Sequence, residues 1–267
     1  MKLILVITLV FILSNNCYGE DLEYSKVEFD LGFSYNYYPK LDNITKDIEG
    51  ENAYLNQNKF GLTGISAETK SFNRLEYGLG YNAQLRYWLL DVMALGAELQ
   101  HLNLQSNYLA EANDENDSYY LQRYQLSSSA LLMMFNLRPL GRKPQNLIEE
   151  SFWRSVILDL NFGAGAYYNK FSRGIDMDYQ HRGYRYVYSQ KDEYDAVVPG
   201  FKTGFELTYP INQESFLNLG FNYNKIFSEV LTNEAGLGYR SIYSDDFKEE
   251  EFDLSNYGIY FNLIFNL

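Results

Sequence analysis

Side chains that most readily catalyse or ligate near neutral pH are scarce in this sequence: two histidines, His101 and His181, and one cysteine, Cys17. His101 stands between Leu99 and Asn103, so no serine lies two residues from it, and His181 lies in "QHRG" between tyrosine-rich stretches. There is no Ser/His/Asp set and no Gly-rich phosphate loop. Two scattered histidines do not make a transition-metal site. The expectation is a non-enzyme with no cofactor and no metal.

Charge is the other source of chemistry. Glu28, Asp30, Glu76, Arg86, Glu98, Asp159, Lys202 and Glu206 all stand at polar positions of alternating stretches. If they share an interior they pair across it; because acids outnumber bases, they could instead line a gated path for cations. Arg173, Arg182 and Arg185 interleave with Tyr in "SRGIDMDYQHRGYRYVY", where guanidinium forks suit a phosphorylated lipid headgroup or a protein partner. "EANDENDS" and "SDDFKEEEFD" read as solvated acidic loops, and their spacing matches no EF-hand. With 35 acidic against 22 basic residues, and a net charge of -13, nucleic acid is excluded as a partner.

The elements that must position these groups are strands. From Val27, the residues Val27, Phe29, Leu31, Phe33, Tyr35 and Tyr37 alternate with polar ones. Leu75 to Tyr87 repeats the pattern with Gly78 and Gly80 opposite, and Val156 to Tyr168 repeats it with Gly163 and Gly165 opposite. Phe201 to Tyr209, Leu217 to Tyr223 and Tyr257 to Leu267 complete the clear cases. Two stretches are harder to face. Met93 to Leu104 puts His101 and Asn103 on its apolar side unless a bulge shifts the register, and in Leu121 to Arg138 we place Leu131, Met133, Phe135 and Leu137 outward, with Asn136 and Arg138 inward.

Segments of this length match the roughly 9 to 11 residues of a tilted membrane strand. Glycine and small polar residues on the second face suit a narrow lumen. Aromatics at segment ends, as at Tyr37, Tyr38, Tyr87, Trp88, Tyr168 and Tyr209, suit headgroup level. Short links (89–92, 210–214 and a middling 139–152) alternate with long polar ones (39–73, 105–120, 171–193 and 227–251), as periplasmic turns and extracellular loops do. The third long link contains a hairpin, and a further strand starting at Phe60 to Leu62 would break the alternation. The fold class is therefore all-β: a transmembrane antiparallel up-and-down barrel of about eight strands. Residues 1–19 read as a secretory signal peptide, with Cys17 as a lipidation alternative that "LSNNC" fits poorly; residues 20–267 form the barrel.

"YGLGYNAQLRYWLLDVMALGAEL", "LDLNFGAGAYYNKF" and the terminal "YGIYFNLIFNL" resemble the small bacterial outer-membrane barrel family of OmpA, OmpX and OmpW type. The resemblance rests on pattern over nearly the whole chain. It implies residence in the bacterial outer membrane among its lipids, and delivery by periplasmic chaperones to the barrel-assembly machinery. The assembly signal would lie in Gly258, Phe261, Leu263 and Phe265, with Leu267 where the family usually ends on Phe. A monomeric scaffold or surface-interaction module, with lipopolysaccharide or an external protein at its loops, is the expected role. A narrow porin-like channel is the alternative, and a lipid-modifying enzyme comes third.

Overall fold

The computed structural model describes residues 26–41, 67–72, 75–112, 118–139, 156–181, 184–211, 215–240 and 249–267. The proposed signal peptide with Cys17, the Phe60 to Leu62 segment and Arg182 lie outside the described residues.

Alternation that exposes one face to lipid and the other to an interior can close only by curling the sheet onto itself, and the chain does so. Eight strands form the ring: β1 (Val27–Tyr37), β3 (Tyr77–Leu90), β4 (Met93–Ala112), β5 (Tyr119–Leu137), β6 (Ile157–His181), β7 (Tyr184–Pro210), β8 (Ser215–Ile226) and β11 (Asn256–Asn266). Each pairs antiparallel with its neighbour in the ring, and β1 meets β11 to close it. Among the described residues, three short strands lie outside the ring: β2 (Ala67–Phe72), which joins the upper end of β4, and the pair β9 (Glu229–Val230) and β10 (Glu251–Phe252).

Register fixes the shape. The paired residues run Tyr37, Tyr257, Tyr223, Thr203, Phe162, Phe135, Leu95, Tyr87 and back to β1 at Val27, a stagger of ten residues around the eight strands. With about 3.3 Å per residue and about 4.8 Å between strands, that stagger requires a tilt of about 40° and a radius of about 8 Å, which side chains can fill. Ten residues on such a strand climb about 25 Å, the height of an outward apolar band in a membrane barrel. Exposed Leu31, Phe33, Leu79, Leu95, Leu99, Leu131, Met133, Phe162, Phe205, Leu219, Ile259 and Leu263 form that band.

Several expectations need correction. Leu75 is fully buried instead of facing outward, because β3 begins only at Tyr77 and Leu75 belongs to the turn before it. Trp88 and Tyr38 are buried at 2% and 1% exposure and do not belong to the headgroup girdle. The 171–193 link is not a loop with a separate hairpin: β6 and β7 run unbroken to the His181↔Tyr184 pair, 25 and 27 residues long. β4 pairs with both neighbours without a bulge at His101, so His101 faces outward and Leu102 and Leu104 turn into the interior. The outward placement of Leu131, Met133, Phe135 and Leu137 holds, as does the burial of Asn136 and Arg138.

Candidate functional site: the lumen and the outer rim

The inward positions divide the lumen into two chemistries. Toward the short-turn end, Glu28 and Asp30 on β1, Arg86 on β3, Asp159 on β6 and Glu206 on β7 are all buried. Arg86 donates to Asp30, lies 2.7 Å from Glu206 and is 3.7 Å from Asp159, so one guanidinium ties β3 to β1, β7 and β6 across the interior. Arg138, just past β5, forks onto Asp159 through Nε (2.6 Å) and a terminal nitrogen (2.8 Å), lies 3.8 Å from Glu28 and covers the Trp88 ring at 4.2 Å. That stack explains why Trp88 is inside. One rung higher, Lys202 of β7 reaches across to both oxygens of Glu98 on β4, at 2.7 and 2.9 Å. The Tyr260 hydroxyl donates to Glu206 at 3.2 Å and accepts from Asn161 at 3.0 Å. Its ring has space because Gly220 faces it: a Cβ there would strike the Tyr260 ring.

Seven of the eight charges expected to share the interior are thus brought into it. Glu76 is not; it sits half-buried in the turn before β3, at the opposite end of that strand from Arg86. Arg138 is inward by its parity in the sequence, but its place in the charge network is not apparent there. It follows β5 directly, and its bonding partners lie on other strands, so only the barrel geometry reveals its role.

The upper half of the lumen holds an apolar cluster, with buried polar side chains such as Gln122, Asn169 and Asn224 beside it. Leu102, Leu104, Leu126, Leu132, Tyr124, Tyr167, Phe171, Val198 and Ile226 point inward from the walls. From above, residues 227–240 and 249–255 fold over the mouth and bury Leu231, Tyr239, Phe252 and Leu254 among them, while Tyr38, Leu41 and Leu75 close the β1 side. Phe171 is the hub, with ring centroids 5.0 Å from Tyr239, 5.1 Å from Phe252 and 6.2 Å from Tyr124. The cap is pinned to the wall where Thr232 and Asp195 exchange backbone hydrogen bonds of 2.9 and 3.1 Å.

Outside, β4 to β7 continue above the apolar band as a sheet with β2 at one side. Arg185 forks onto Asp178 at 3.0 and 2.5 Å, a pairing that holds Asp178 below the usual carboxylate range. Arg173 is half-buried on β6, so of the two described arginines expected to make contacts only Arg185 is wholly at the surface. Hydrogen bonds from Lys170 and Lys191 hold Glu193 down at about 2. At the rim between β8 and β1, Lys40 (2.8 Å) and Lys225 (3.2 Å) share one oxygen of Asp253. Partial burial pulls that carboxyl up, but the hydrogen bonds from Lys40, Ser255 and Lys225 outweigh it and leave Asp253 at about 2.

His101 and Ser129 face each other in register on β4 and β5, with Nδ1 2.9 Å from Oγ, between Tyr81 and Tyr168. Reading the chain locally misses this pair, because its members lie on neighbouring strands. Leu263 and Phe265 are exposed on the outward face of β11, Phe261 is half-exposed there, Leu267 is exposed just past its end, and Gly258 faces Asn36 and Asn222. Among the described residues no group of three or more potential ligands could hold a metal.

No family model matches the chain, and no curated protein does. Among solved structures, it is similar to a major outer membrane protein from Thermus thermophilus (12% identity, 90% of this chain and 98% of that one, TM-score 0.42). It is also similar to the outer membrane protein OprG from Pseudomonas aeruginosa (14%, 92% and 100%, TM-score 0.36). The outer membrane protease OmpT from Escherichia coli shows 10% identity over 93% and 99%, with a TM-score of 0.35.

Proposed function

We propose that the protein is a non-conducting barrel of a bacterial outer membrane, a structural scaffold whose extracellular sheet and loops form a surface-interaction module. One observation carries this reading: among the described residues the lumen is occupied by cross-lumen ion pairs below and by an aromatic core above. A path for ions would have to break buried charge pairs and then cross an apolar constriction, and each opposes permeation. The porin-like alternative therefore requires the cap over Phe171 to move.

An outer-membrane seat accounts for the lipid-facing band, for strands that end in tyrosines and for the exposed apolar alternation of β11, which suits recognition by barrel-assembly machinery. The enzymatic reading is weakened by the register around His101 and Ser129. The β4–β5 ladder is unbroken from Met93↔Leu137 to Glu111↔Tyr119, so its backbone N–H groups are committed to the sheet and supply no oxyanion hole. The β6–β7 ribbon, with exposed Tyr184, Tyr186, Val187 and Tyr188 around Arg185, is the surface suited to lipopolysaccharide or an external protein.

The deciding experiment is single-channel recording of residues 20–267 in planar bilayers, after heat-modifiable gel migration has shown a folded barrel. A silent membrane is expected. Reproducible conductance steps would overturn the scaffold reading in favour of the pore.

A further inference from the structure

Outside the lumen, the outward wall carries a cleft of about 320 Å³ across β1, β3 and β4, lined by Tyr35, Tyr77, Gly78, Leu79, Tyr81, Asn103 and Gln105. Its chemistry differs from the rest of the apolar band. Tyr35 and Tyr77 stack with centroids 5.5 Å apart and planes within 10°, which presents a rigid aromatic wall. Across from it stand two side-chain amides. The Asn103 Oδ1 is closed to solvent and has no hydrogen-bond partner among the described residues. A buried acceptor without a donor costs free energy unless something supplies one.

The level of the cleft narrows what that can be. Tyr81 is the register partner of His101, at the upper end of the band, where phenol rings sit at the headgroups. A headgroup there that offers both hydroxyl donors to an amide and flat C–H faces to a tyrosine is a saccharide. Charge adds to this. The Tyr35/Tyr77 stack continues through Tyr37, 5.2 Å from Tyr77, and Tyr37 pairs in register with Tyr257. Beside Tyr257 and Tyr223, Lys40 and Lys225 share the single carboxylate of Asp253, which leaves a net positive charge among the described residues of that rim for an anion.

We infer that the Tyr35/Tyr77/Asn103/Gln105 cleft is a binding site for the sugar headgroup of a phosphorylated glycolipid in the outer leaflet. Its saccharide packs on the tyrosines and donates to Gln105 and to Asn103, whose amide turns to open Oδ1 to the cleft, and a phosphate lies toward Lys40 and Lys225. The site rests on the outer-membrane reading proposed above and adds a specific lipid to it.

The test is native mass spectrometry of barrels refolded in phosphatidylcholine nanodiscs that contain equal mole fractions of lipid A or of phosphatidylglycerol. Lipid A carries sugar and phosphate, whereas phosphatidylglycerol carries phosphate without sugar. The wild type is expected to retain lipid A at least tenfold over phosphatidylglycerol. Tyr77→Ala and Asn103→Leu should bring lipid A retention down to the phosphatidylglycerol level, and Lys225→Gln should lower both lipids. Tyr77 and Asn103 face outward, away from the lumen network; Gln105→Leu replaces either variant that gives no heat-modifiable band. Equal retention of the two lipids by the wild type, or lipid A retention unchanged in the cleft variants, overturns the site and leaves the barrel reading intact. A wild-type chain that folds in no bilayer removes both.

Discussion

Replacing Arg86 with methionine is the sharpest test of how the lumen is held. The side chain is fully buried and its guanidinium serves Asp30, Glu206 and, at 3.7 Å, Asp159. Arg86→Met keeps the volume and removes the charge, leaving Asp30 and Glu206 facing each other without their shared cation. Removing one partner from a buried pair costs about 3–5 kcal/mol, whereas replacing all partners with neutral groups is near neutral. Asp159 keeps its fork from Arg138, so we place the loss near the middle of that range, at about 4 kcal/mol, or about a thousandfold in the folding equilibrium. The assay is equilibrium urea unfolding in lipid vesicles, read by tryptophan fluorescence and heat-modifiable migration. The triple variant Arg86→Met, Asp30→Asn, Glu206→Gln should recover most of the loss, since no uncompensated charge is left among the three positions. A single variant that costs under about 1 kcal/mol, or a triple variant no more stable than the single, would refute the view that Arg86 stabilises by neutralising these carboxylates.

Further outcomes are expected from the same structure. Phe171→Ala should lower stability by about 3–5 kcal/mol, because the hole it leaves is ringed by Tyr124, Tyr239 and Phe252, and urea unfolding would show it. Gly220→Ala should cost about 1–3 kcal/mol by driving a methyl into the Tyr260 ring, and Tyr260→Leu in the same chain should reduce that cost. Asp253, held at about 2 against 3.8 for the unhindered carboxyl, contributes stability that is complete above about pH 4 and is lost as pH falls from there through about 2. Hydrogen exchange at the rim should therefore rise over that interval in the wild type, and Asp253→Asn should abolish the rise; its retention in the variant would count against a clamp built on this carboxylate.

The barrel is legible in the sequence because lipid imposes a rule that each residue obeys locally: apolar at every second position, over a length set by the bilayer. Facing can be read wherever alternation is clean, as along Val27 to Tyr37, and the interior position of seven charges follows from it. The failures have a common cause. Trp88 and Tyr38 look like girdle residues by type and position, but parity turns them inward, where Arg138 and the apolar core receive them. Leu102 and Leu104 suggest a bulge only if the lumen is aqueous throughout; beside the apolar cluster of the upper lumen they sit where simple alternation puts them. The His101–Ser129 contact and the cleft lined by Tyr77 and Asn103 join residues from different strands, so they depend on register. Register is set by ring closure and not by any one segment.

That closure also orders how the chain can fold. β6 and β7 begin pairing at His181↔Tyr184, three positions apart in the chain, whereas the Tyr37↔Tyr257 ladder joins segments about 220 residues apart. Bringing such distant ends together from an open chain costs about 5 kcal/mol of chain entropy, so the β1–β11 seam is the last to be repaid by contacts. Yet the ends it unites become neighbours, since the Leu267 N–H donates to the Val27 carbonyl at 3.0 Å. A short turn from Leu267 to Lys26, with new termini opened between His181 and Tyr184, would turn the slowest pairing into a hairpin while leaving every rung of the wall in place. Such a permuted barrel should assemble faster than the natural one and still present the same band to lipid.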